Sequence, residues 1–151
     1  MFGLFKKKAQ AVLPNPEVQA EFIDRVSQAA ADFLAALSDT QGLDYQPASV
    51  ALLDRVAARV RAGTLSLSPM QRVGMAAYLY EVARRAHGGQ YEVCDNDDPV
   101  VLVIGEPVFD VCLCGISRVE STLQGRVQEP LAVFYGRFEA AVRAARPALL
   151  R

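Results

Sequence analysis

The chain has 151 residues, 52% of them hydrophobic and 22% charged, and a formal net charge of −1. That length suits one domain with a real core, and the composition excludes a disordered chain. Near-neutral charge excludes a general electrostatic affinity for nucleic acid, and no apolar run reaches the roughly 18–20 residues of a membrane span.

Residues 1–14 read as a flexible N-terminal tip ahead of a single domain at 15–151. All the lysines of the chain, Lys6, Lys7 and Lys8, sit there, and without them the remainder holds 13 basic against 17 acidic residues. Phe2, Leu4 and Phe5 followed by three ammonium groups suit at most a weak peripheral contact with an anionic membrane, each lysine contributing about 1 kcal/mol. A frayed terminus is the simpler reading. The charges follow the apolar residues, which is the wrong order for a secretory signal.

Prolines mark the helix starts: Pro16, Pro47, Pro69 and Pro130 each open a helix-periodic run, where the missing N–H costs nothing. The spacing predicts helices over Pro16–Leu37, Pro47–Ala62, Pro69–His87, Ser117–Leu123 and Pro130–Arg146. Ser68 with Gln71, and Ser117 with Glu120, have the spacing of capping boxes. The third helix carries a broad apolar arc that includes Val73, Leu79, Tyr80 and Val82, with Glu81, Arg84 and Arg85 in one narrow polar sector. Between the third and fourth helices, Gln90–Cys94, Val100–Ile104 and Val108–Cys112 read as strands. Asp95-Asn96-Asp97-Asp98-Pro99 supplies one turn and Gly105-Glu106-Pro107 the other. Asp110 is expected on the solvent side of the third strand. The predicted fold is therefore α+β: three N-terminal helices, a three-stranded antiparallel β-meander and two C-terminal helices.

Candidate chemistry centres on the only histidine and the three cysteines. His87, Cys94, Cys112 and Cys114 are a legitimate zinc ligand set by type. Their spacing argues against zinc, because side chains two apart on a strand stand roughly 6–7 Å from one another. Three buried small hydrophobes is the simpler reading of the thiols. No motif pairs a cysteine with the histidine for nucleophilic catalysis, and His87 has a simpler role at a helix C-terminus. The acidic turn lacks the ligand alternation of a calcium loop and reads as a solvated hairpin turn. Glu81 sits one turn before Arg84 and Arg85, the geometry of a surface ion pair. Glu81, Arg85 and Lys6–Lys8 are the candidate interaction residues. No helix-turn-helix, zinc-finger or phosphate-cradling glycine pattern is present, so neither nucleic acid nor any cofactor is expected. An odd number of cysteines without a disulfide framework points to reduced thiols in the cytoplasm.

Three segments resemble an uncharacterised bacterial family of small α+β proteins. They are Asp44-Tyr45-Gln46-Pro47 with Val50–Asp54; Gly74–Val82 with Arg84-Arg85 and Gly88-Gly89; and Ser117–Glu120 with Gly125 and Leu131–Tyr135. The resemblance spans about residues 43–138. Tyr80 stands where that group usually has glycine, and Leu123-Gln124 where a basic residue is usual. The resemblance implies a bacterial accessory protein without evident catalytic residues. The expectation is a non-enzymatic protein acting through protein–protein contact, an adaptor, chaperone-like or immunity-type factor, with a homo-oligomer burying surplus apolar surface. The alternative is a small-ligand or metal site near Glu81, His87 and the cysteines.

Overall fold

Asn15 opens the first helix by accepting the backbone N–H groups of Glu17 and Val18 on its side-chain oxygen, with Pro16 at the first helical position. The structure, a computed structural model, describes residues 15–151, and the candidate residues Lys6, Lys7 and Lys8 lie outside them. Helix α1 (Pro16–Ala35) is followed by a 3-10 turn at Pro47–Ser49, which runs into α2 (Val50–Arg61), and then by α3 (Pro69–His87). Strands β1 (Gln90–Val93), β2 (Val100–Ile104) and β3 (Val111–Leu113) come next, then α4 (Gly115–Leu123), α5 (Leu131–Arg143) and β4 (Ala148–Leu150).

Helix α3 is the axis of the fold. The expected capping box at its start forms: the Gln71 N–H donates to Ser68 Oγ, and the Gln71 side chain accepts from the Ser68 N–H. Every residue from Gly74 to Ala83 is buried. Helix α1 crosses it closely, because a Cβ on Gly74 would stand 2.6 Å from the Ala29 carbonyl oxygen and 2.9 Å from Phe33 Cβ. Glycine removes that obstruction, and Phe33, Ala30 and Val26 then fill one core with Met75, Leu79 and Val82.

The sheet corrects the expected architecture. It has four strands in the order β1-β2-β3-β4 and is mixed, since β4 joins β3 in parallel while the other pairs are antiparallel. A strand therefore follows the last helix, and the three-stranded antiparallel meander is set aside; the α+β class stands. Helix α5 stops at Arg143, Ala145 takes a positive φ of 49°, and the chain returns to the open edge of β3. There the Ala148 N–H donates to the Asp110 carbonyl and the Cys114 N–H to the Leu150 carbonyl. That edge, not any local preference of three residues, makes Ala148–Leu150 a strand.

Strand β3 also begins later than predicted. The N–H groups of Val108 and Phe109 both donate to the Gly105 carbonyl, which prolongs the turn and leaves Asp110 ahead of the strand. Residues alternate across the sheet as they must. Tyr91, Leu102, Ile104, Val111, Leu113 and Leu150 join the helices in the main core, while Val101, Val103, Cys112 and Cys114 form a second cluster on the other face.

Candidate functional site

Glu81 is completely withdrawn from solvent, not a member of a surface ion pair. Its carboxylate is fully engaged. Oε1 accepts from Ser27 Oγ at 2.8 Å, from Arg84 Nη2 at 2.9 Å and from Arg85 Nε at 3.3 Å. Oε2 accepts from Arg84 Nε at 2.8 Å and from the Tyr91 hydroxyl at 2.7 Å. Burial pushes its pKa up, but the bonds from Arg84, Tyr91 and Ser27 outweigh that and hold it at about 2. The Arg85 guanidinium lies 3.8 Å from the centre of the Tyr45 ring, which stacks on Tyr78. Because α1 (Ser27), α3 and β1 (Tyr91) all meet on this one carboxylate, its first role is to lock the fold. Of the two arginines, half-exposed Arg85 is the more open to a partner.

The other predicted candidates are not brought to this point. His87 Nε2 lies 2.7 Å from Glu139 Oε2, and its ring packs edge-on against Phe138 on the helical side of the sheet. The thiols belong to the opposite face. None of the three is in a disulfide, and Cys112 Sγ and Cys114 Sγ are 3.8 Å apart, closer than strand geometry predicts. The chain leaves the strand after Leu113, and Cys114 turns into the start of α4, which swings its sulfur inward. Contact with Cys114 and burial push the Cys112 thiol up, which favours its neutral form. Among the described residues, no three His, Cys, Asp or Glu side chains converge as metal ligands.

The acidic turn is built into the fold and is not merely solvated. Asp98 is fully buried: Oδ1 accepts the Ser117 N–H at 2.8 Å, and Oδ2 lies 3.2 Å from Arg151 Nη2. The Tyr80 hydroxyl accepts the Gly115 N–H at 2.9 Å and donates to the Val100 carbonyl at 2.6 Å. Two orphan N–H groups at the start of α4 are therefore satisfied from distant elements. The helix begins two residues before the predicted Ser117, and the Ser117–Glu120 capping box does not form.

These supports shape a groove where α1, α3, α4 and the β1–β2 turn meet. Its polar part is a cavity of about 720 Å³ whose lining includes Arg72, Asn96, Asp97, Ser117, Glu120 and Arg126. Its apolar part, about 190 Å³, lies among Phe22, Val26, Ala77, Tyr80 and Val100. Val73 and Ile116 line both, so the two hollows adjoin. Arg72 and Glu120 pair at 3.1 Å inside the polar part. Ser117 Oγ has no hydrogen-bond partner, so no base is positioned on it as a nucleophile would need. What the groove offers is binding: an apolar slot beside donors and acceptors of both charges.

Comparison with protein-family models, curated proteins and solved structures finds no match to this chain. No described helix is long and apolar enough to cross a membrane.

Sequence reasoning missed the groove because α1, α3, β2, α4 and a turn all supply its lining. One local signal was present. Val73, assigned by its spacing to the buried arc of α3, is 45% exposed, and Met70 on the same helix is 84% exposed. An otherwise buried helix that opens at its first turns marks a surface left uncovered.

Proposed function

We propose that this protein works by contact with another protein, received in the groove at Val73 and Ile116. The adjacency of an apolar slot and a polar hollow supports this reading, since protein interfaces combine an apolar centre with a charged rim. Exposed Val73 on the groove wall supplies apolar area that costs little to desolvate, and Arg126 and Asn96 supply orientation. An adaptor, chaperone-like or immunity-type role in a bacterial cytoplasm belongs to the same proposal, as does membership of the family that residues 43–138 resemble.

Affinity capture from the native cell tests it. Val73→Glu is expected to abolish recovery of the partner, while Val133→Glu, an equally exposed site outside the groove, leaves recovery unchanged. Equal recovery with both variants excludes the groove as the contact. The second reading, a small ligand in the polar hollow, draws on its volume of about 720 Å³, which falls in the usual range for such sites. A co-purifying small molecule lost on Arg126→Glu would favour it.

A further inference from the structure

All the cysteines of the chain collect on the face of the sheet opposite the main core. Cys112 and Cys114 are buried there with Val101 and Val103, and Cys94 packs against them. Two of these thiols touch, since Cys112 Sγ and Cys114 Sγ are 3.8 Å apart. Closure to a disulfide, in which the sulfurs stand about 2.05 Å apart, needs only ~1.8 Å of further approach. Cys112 is fixed within the sheet, paired with Val103 of β2 on one side and Leu149 of β4 on the other. Cys114 belongs to neither strand nor helix: β3 ends at Leu113 and α4 begins at Gly115. The residue that must give is therefore Cys114.

The two sulfurs are chemically unequal. Contact with Cys112, aided by the Arg151 guanidinium and opposed by burial and Asp98, holds the Cys114 thiol below its ordinary value. The same contact pushes Cys112 up. Cys112 therefore donates its S–H and Cys114 receives it, which makes one sulfur the nucleophile and the other the resolving thiol. Arg151 is 43% exposed, so the guanidinium beside Cys114 also borders water.

We propose that Cys112 and Cys114 are a peroxide-responsive pair that closes to a reversible disulfide at the start of α4. The Cys114 thiolate attacks one oxygen of hydrogen peroxide. An S–O bond forms, the O–O bond breaks, and the departing hydroxide takes up the proton Cys114 had released and leaves as water. The Cys112 sulfur then attacks the sulfur of the resulting sulfenic acid. The S–S bond forms, the S–O bond breaks, and the Cys112 proton leaves with that hydroxide as a second water. The two thiols together lose two electrons, and the peroxide that accepts them ends as two waters. The ring closes over a single intervening residue, Leu113, which is fully buried. So tight a ring departs from relaxed bridge geometry, which places it among the readily reduced disulfides, and a small dithiol restores the pair by exchange.

The test treats the fully reduced full chain with hydrogen peroxide at neutral pH, quenches with acid, and counts thiols after unfolding. Intact mass and peptide mapping without reductant run in parallel; cleavage before Asp95 and Asp110 separates Cys94 from the other two cysteines. A fall from three thiols to one is expected, with a mass lower by two hydrogens and the bridge inside the peptide that begins at Asp110. Far-UV circular dichroism is expected to stay unchanged, and dithiothreitol to return all three thiols. Cys94→Ser is expected to form the same bridge. Cys112→Ser is expected to stop at a Cys114 sulfenic acid that dimedone traps. The wild-type measurement carries the test should a variant fail to fold. Thiols that persist in excess peroxide overturn the proposal. So does a bridge that includes Cys94, a bridge between two chains, or sulfinic acid at Cys114 with Cys112 unchanged.

Discussion

The Tyr91 hydroxyl donates to Glu81 Oε2 at 2.7 Å, and this bond ties the central helix to the edge strand. Ser27 reaches the same carboxylate from α1. A residue with the spacing of a surface ion pair is therefore the polar centre of the core. Glu81→Gln leaves Arg84 and Arg85 facing a neutral amide, and the expected loss is about 3 kcal/mol, as for breaking one side of a buried pair. Tyr91→Phe removes a single bond to a charged group and is expected to cost about 2 kcal/mol. Urea denaturation of both variants checks the magnitudes and their order.

The same carboxylate makes stability depend on acid. Its folded pKa of about 2 lies below its ordinary value of 4.5, so its contribution is complete above about pH 4.5 and is lost as pH falls toward 2. A shift of that size corresponds to about 3 kcal/mol. Unfolding free energy measured from pH 6 down to pH 2 is expected to fall in the wild type, and to fall by correspondingly less in Glu81→Gln, which starts lower.

Gly74→Ala places a methyl group against the Ala29 carbonyl oxygen and Phe33 Cβ, both closer than 3 Å. Backbone and core cannot yield as a flexible side chain would, so α1 must move away from α3. The expected destabilisation is about 1–3 kcal/mol, despite alanine's better helix propensity. A methyl group on Gly136 of α5 would meet nothing within 4 Å, so Gly136→Ala is the control and is expected to be neutral or stabilising. Thermal melts of the two variants should move in opposite directions or differ clearly in size.

Tyr80→Phe deletes the hydroxyl that serves the Val100 carbonyl and the Gly115 N–H together. Both backbone groups are left without that partner, at about 1–3 kcal/mol each where buried. The loss is expected to concentrate at the start of α4 and therefore along the groove. Hydrogen exchange at Gly115 and Ile116 is expected to speed up more than exchange in α5, and uniform acceleration would contradict a local role.

Much of the helical framework was legible because its signals are local. Pro16 after Asn15, and Ser68-Pro69 with Gln71, announce helix starts through bonds that span three residues. The bounds of α3 and β2 agree with the spacing read from the chain. Of the candidate site residues, the i+3 and i+4 relation of Glu81 to Arg84 and Arg85 was equally plain. The groove was not, since Ile116 and Arg72 become neighbours only after α4 is set against α3.

Amino-acid order alone settled where α1 and α3 begin, most of the apolar face of each and that helices pack with a sheet, because those outcomes depend on periodicity, caps and proline geometry within a few positions. Packing settled the rest. Ala148–Leu150 became a strand because the edge of β3 had bonds to give, and Asp98 became buried because α4 needed an acceptor and Arg151 lay opposite. Glu81 became a core residue because Ser27 and Tyr91 converge on it from other elements. Each of these rests on partners that are distant along the chain or divided among several elements, and no short window of sequence contains both halves of such a contact.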